Sequence, residues 1–133
     1  SRHSFGLIKD GGEFVVNLPR AGQTQLVDYC GMVSGRDVDK WTECGFTKLA
    51  GSEVTVPSIA ECPVNIECSL TEVAPIGTHH LFIGEVLAVK ADADVLDVRG
   101  GVDAMKAEPV AYVNGEYRGI GDLLGTFGFS RRG

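Results

Sequence analysis

Apolar and polar residues alternate most strictly over residues 64–70 (Val-Asn-Ile-Glu-Cys-Ser-Leu), which predicts a strand with one wet face. Residues 78–89 predict a second, longer strand, with Gly84 marking a bulge or a sharp curve. Pro75, Ile76 and Gly77 turn the chain between them, so the two strands read as a hairpin. Residues 13–18 predict another strand, ended by Pro19. Residues 109–113 run into Asn114-Gly115, a strong hairpin-turn dipeptide, and continue from Glu116. Helical spacing is confined to short stretches. Residues 1–9 place Phe5 and Ile8 on one face, with Ser1 or Ser4 as cap, and stop at Asp10-Gly11-Gly12. Leu26, Val27, Cys30 and Val33 share a second helical spacing with Asp28 on another face. That run breaks at Ser34-Gly35, and a further helix is expected from Asp37 as N-cap, through Trp41, to Gly45. Residues 46–57 are irregular, with a short strand expected at 53–56, and residues 59–63 look extended before Pro63. Residues 102–107 suggest one helical turn.

Composition agrees with a β-rich reading. Eighteen glycines in 133 residues are too many for a helix bundle and imply many turns. The length fits a single domain over 1–133, large enough to bury a core without disulfides. These patterns together predict a small antiparallel barrel or sandwich with helical inserts. A net charge of -6 argues against general nucleic-acid binding. No apolar run is long enough for a membrane span, and no signal peptide opens the chain. Cys30, Cys44, Cys62 and Cys68 form no C-x-x-C pair, and three histidines leave little for a zinc site. Cys62 and Cys68 share a strand face but are too far apart to bridge without a fold-back. Packed thiols in a reducing, cytoplasmic setting are the expectation for all four.

Candidate chemistry concentrates at residues 34–40. The break places the Ser34 hydroxyl, a flexible glycine, the Arg36 guanidinium and a helix start at Asp37 together, with Lys40 one turn on. Backbone donors, a favourable dipole end and a fork-shaped cation suit a phosphate. An ordinary helix–turn–helix corner with solvated charges gives the same local pattern. No nucleophile elbow and no glycine-rich dinucleotide fingerprint accompany it.

Six segments, in order, carry a resemblance: residues 1–4 (Ser-Arg-His-Ser), 12–19 (Gly-Glu-Phe-Val-Val-Asn-Leu-Pro), 28–40, 60–68 (Ala-Glu-Cys-Pro-Val-Asn-Ile-Glu-Cys), 82–86 (Phe-Ile-Gly-Glu-Val) and 115–117 (Gly-Glu-Tyr). Over essentially its whole length the chain resembles the flavin reductase-like, FMN-binding split-barrel proteins, and most closely their flavoredoxin branch. The resemblance implies a mainly β fold with short helices, a Greek-key split β-barrel, usually homodimeric, holding FMN non-covalently near the dimer interface. Carried over residue by residue, it places Arg2, His3 and Ser4 beside the flavin phosphate and ribityl chain. It places Ser34, Arg36, Asp37 and Lys40 toward the phosphate, with Lys40 foremost. His79 matches a histidine often near the isoalloxazine ring, although a polar strand-end histidine accounts for it equally well. Trp41, Tyr112, Tyr117 and Phe127 are read mainly as packing aromatics, and Cys30 as a packed thiol.

Family members carry further strands ahead of the Ser-Arg-His-Ser segment, so the resemblance implies an N-terminally truncated domain. The expected activity is that of an FMN-binding redox protein, passing electrons from NAD(P)H or a protein donor to an acceptor, with no catalytic residue of its own identified. The alternative is a non-catalytic, dimeric split-barrel module that does not retain flavin because those strands are missing.

Overall fold

Glycine and proline punctuation divides the chain into the short elements seen in the computed structural model, which describes residues 2–131. Helix α1 (His3–Gly11) starts from Arg2, with no side chain capping it. Ser4 therefore lies within the first turn and is not the cap; the other expected cap, Ser1, lies outside the described residues. Gly12 ends the helix with φ 71°, and its N–H donates to the Ile8 carbonyl at 2.9 Å. Strand β1 (Glu13–Leu18) follows as expected. A single 3-10 turn at Ala21–Gln23 leads into α2 (Thr24–Met32).

The next helix, α3 (Lys40–Cys44), begins later than expected: Asp39, not Asp37, is its N-cap. The Asp39 carboxylate accepts from the Trp41 N–H at 3.1 Å and from the Thr42 hydroxyl at 2.8 Å. Asp37 stays in the turn, its N–H donating to the Ser34 carbonyl at 3.0 Å. Gly45 closes α3 in the left-handed conformation, as its sequence position predicts.

Residues 53–56 form no strand. The short ladder here instead joins β2 (Lys48–Leu49) to β3 (Ser58–Ile59), and residues after Ile59 turn rather than extend into Pro63. The long hairpin is β4 (Val64–Ile76) and β5 (His79–Ala91), with β4 central in an antiparallel sheet of order β1-β4-β5. The register slips between Leu70 and Glu72, opposite Gly84 and Ile83. A Cβ on Gly84 would stand 2.6 Å from Phe14 Cζ and 3.2 Å from Cys68 Cβ, so the missing side chain admits the phenyl ring. After a bridge from Leu96 to Val102, helix α4 (Ala104–Ala107) and the hairpin of β6 (Val110–Val113) and β7 (Glu116–Gly119) complete the elements. Asn114 and Gly115 both have positive φ, the hairpin turn their sequence predicts.

The core departs from the sequence reading at β4. Its alternation is real, but neither face of residues 64–68 is wet. Val64 and Cys68 are buried, and so are the intervening Asn65 and Glu67. Asn65 Nδ2 donates to Asn17 Oδ1 at 2.8 Å and to the Ile59 carbonyl at 3.0 Å. Glu67 is 0% exposed because residues 52–54 fold over it. Its carboxylate accepts the N–H groups of Ser52, Glu53 and Val54 at 3.0, 2.9 and 3.1 Å, and the Ser52 hydroxyl at 3.1 Å. Lys90 Nζ stands 3.4 Å away. Polar spacing identified the face; a loop distant in sequence decided what covers it.

Beyond this core the sheets stay open. Among the described residues no set of strands closes into a barrel. Leu81, Ile83, Val86, Leu87 and Val89 of β5 are exposed. The accessible surface is 9494 Å², against roughly 6,700 Å² for a compact monomer of this mass. The excess includes the apolar β5 surface and the exposed segment after Gly119, with Leu123, Leu124 and Phe127.

Candidate functional site

The N-terminal end of α1 meets the turn between α2 and α3, and there the two sequence-predicted groups converge. Arg2, His3, Ser4, Ser34, Arg36 and Lys40 line one open basin of about 360 Å³. The residues lining it carry two guanidinium groups, an ammonium and two hydroxyls, a donor set that matches a phosphate. Gly35 makes the approach possible: a Cβ there would stand 3.0 Å from His3 Cδ2. Arg2, Ser4, Arg36 and Asp37 are exposed, while His3, Ser34 and Lys40 are half-buried. Asp37 lies on the neighbouring side, in a depression shared with Asp39 and Trp41, and not in the basin itself.

Local bonds shape the turn. Ser34 Oγ accepts the Arg36 backbone N–H at 3.1 Å, which fixes the hydroxyl within the turn. Lys40 reaches back so that Nζ donates to the Cys30 carbonyl at 2.7 Å. Cys30 is in the last turn of α2, so this cation also satisfies a helix C-terminus. The dipole argument made from Asp37 does not hold, because α3 starts at Lys40 and is only five residues long. Side chains, not a helix start, supply the positive character. Hydrogen bonding to Thr42 lowers the Asp39 carboxyl below its usual range, so it remains an anion beside these cations.

His79 is not in the basin. It lines a second cavity of about 200 Å³ with Thr78, His80, Phe82 and Phe5, and Arg2 and Ser4 form part of both walls. The aromatic contact there belongs to His80, whose ring centroid lies 4.2 Å from that of Phe5. The spacing of Phe5 in α1 signals an inward face, yet the choice between adjacent histidines follows only from the start of β5. The other aromatics pack locally. Trp41 meets Phe46 edge-on at 6.5 Å, and Tyr112 meets Tyr117 at 5.1 Å. The Tyr117 hydroxyl donates to Asp28 at 3.0 Å, and burial with this contact raises its pKa. Phe127 is fully exposed.

The profile of the flavin reductase-like domain matches residues 1–121. The chain belongs to that family. The flavoredoxin of Desulfovibrio vulgaris (Miyazaki F) superposes with a TM-score of 0.90 at 30% identity, over 99% of this chain and 72% of that one. A flavoredoxin from Methanosarcina acetivorans gives 0.88 at 32% identity, over 98% and 69%. In sequence, an uncharacterized protein of Archaeoglobus fulgidus is 39% identical over 89 residues, which is 67% of this chain and 50% of that protein. The chain spans about half the length of the curated relatives it matches. The chain shares the mainly β, split-barrel flavin reductase-like fold of its structural neighbours, with its own sheets unclosed among the described residues.

Proposed function

We propose that this chain forms part of an FMN-binding redox protein of the flavoredoxin or flavin reductase type. The convergence of Arg2, Arg36 and Lys40 with the Ser4 and Ser34 hydroxyls on one basin carries the reading. Arg36 and Arg2 would hold the phosphate by charge-assisted bonds, and Ser34 would orient Arg36. Lys40 would add a point charge while keeping its bond to α2. Arg2 and Ser4 also line the His79 cavity, so a ligand anchored in the basin can extend along α1 toward His79, His80 and Phe82. FMN, when bound, supplies the electron-transfer chemistry; the chain supplies anchoring, orientation and exclusion of water. A homodimer that covers the apolar β5 surface, a cytoplasmic setting, and reduction by NAD(P)H or a protein donor complete the proposal.

The second reading, a dimeric module that does not retain flavin, is favoured by the open sheet. One experiment separates the two. The protein is mixed with excess FMN, desalted and scanned for visible absorbance. Retained flavin supports the redox reading, and a colourless protein supports the module. Where flavin is retained, Arg36→Ala should weaken FMN about tenfold, the loss of one charge-assisted bond, and leave riboflavin, which lacks the phosphate, unchanged. Equal losses for both ligands would refute the phosphate assignment.

A further inference from the structure

The cysteines at the two ends of the α2–α3 corner are far apart in the sequence pattern but adjacent in space. Cys30 Sγ lies 3.7 Å from Cys44 Sγ, thiol to thiol. Both are half-buried, and Cys30 borders two cavities, the open basin and an apolar one of about 190 Å³ that Phe46 and Cys62 also line. The other two thiols are more deeply buried: Cys62 and Cys68 are 5% and 4% exposed, and burial, which raises the Cys30 thiol as well, pushes Cys62 up to about 11. Closing Cys30 to Cys44 requires the sulfurs to move from contact to a covalent length of about 2.05 Å. The short helix α3 and the turn before it can supply that movement, since α3 is anchored mainly by its Asp39 cap, its Gly45 end and the Lys40 bond.

We propose that Cys30 and Cys44 are a dithiol that exchanges with an organic disulfide and closes to an intramolecular disulfide bond. One cysteine thiolate attacks a sulfur of the organic disulfide, whose S–S bond breaks and releases the first thiol. The second cysteine then attacks the resulting mixed disulfide and releases the second thiol. The two cysteines lose two electrons, the organic disulfide gains them, and the two protons end on the released thiols. The bond would tie the end of α2 to the end of α3 and brace the arm that carries Ser34, Arg36 and Lys40. Bracing an FMN-binding arm rests on the proposed function; the disulfide itself does not.

Tryptic sites make the test unambiguous, because Cys30 falls in residues 21–36, Cys44 in 41–48, and Cys62 with Cys68 in 49–90. The full chain is reduced, equilibrated with oxidised glutathione, trapped by alkylation and mapped by mass spectrometry without reduction. The expected product is peptide 21–36 linked to 41–48 in a monomer on a non-reducing gel, lost in both Cys30→Ser and Cys44→Ser. Its formation should raise Tm by at least about 5 °C, because closing the loop between Cys30 and Cys44 removes conformational entropy from the unfolded chain. Free or singly glutathionylated Cys30 and Cys44 would overturn the proposal, as would linkage to peptide 49–90 or between two copies. The wild-type map decides the matter even where a serine variant folds poorly.

Discussion

Replacing Glu67 by glutamine tests the reading of the core most directly. The native carboxylate accepts the N–H groups of Ser52, Glu53 and Val54 and the Ser52 hydroxyl, and it faces Lys90 Nζ at 3.4 Å. Glutamine keeps one carbonyl oxygen, which can serve the three N–H groups now meeting Oε1. Its NH2 then confronts the Lys90 ammonium, which cannot accept from it, and the Ser52 hydroxyl, which must rotate from donor to acceptor. Lys90 retains its bond to the Ala50 carbonyl at 2.6 Å but loses its counter-ion. Losing the charge assistance and leaving a buried pair half-made costs about 3 kcal/mol. For 133 residues that corresponds to a Tm lower by about 11 °C. Urea unfolding at pH 7 measures the loss. The pH dependence adds an independent check. Hydrogen bonds from Glu53 and its neighbours hold the Glu67 carboxyl down at about 2, below its ordinary 4.5. Its contribution is thus complete above about 4.5 and is lost as pH falls toward 2. The gap between wild type and Glu67→Gln should narrow over that interval. A gap below 0.5 kcal/mol at pH 7 (on the order of an ordinary surface substitution), or one that stays constant down to pH 2, would refute the reasoning.

Other substitutions probe the frame and the site. Gly84→Ala should destabilise by about 2 kcal/mol, because its Cβ would strike the Phe14 ring; pairing it with Phe14→Leu should recover part of that loss in the same urea titration. Lys40→Met should cost about 1 kcal/mol of stability by releasing the Cys30 carbonyl at the end of α2. The same variant should also weaken FMN relative to riboflavin, so separate stability and binding measurements distinguish the helix-end role from the phosphate role.

Much of the frame was legible because it depends on local spacing. Residues 13–18 carry strand-forming Phe and Val ahead of a proline, Asn114-Gly115 can adopt positive φ, and Gly45 can end a helix; each needs only its neighbours. The start of α3 was misplaced by two residues because Asp37 and Asp39 have the same capping chemistry. The fold selects Asp39, whose carboxylate meets the Trp41 N–H and Thr42 hydroxyl while Lys40 turns back to α2. Residue chemistry alone marked the candidate site only at 34–40; residues 2–4 joined it through the family resemblance, which implied one phosphate for both groups.

The chain's own order of residues determined the hairpins, the breaks between helices and the cationic and hydroxyl groups available to an anion. Tertiary structure, and not the residue pattern, decided that Arg2 and Ser4 line the same basin as Arg36 and Lys40, that His80 and not His79 meets Phe5, and that Cys30 touches Cys44. It also decided that Glu67 is buried rather than wet. The physical reason is common to all four. Periodicity states which way a side chain points, whereas its environment depends on the segment that packs against it, and that segment lies elsewhere in the chain.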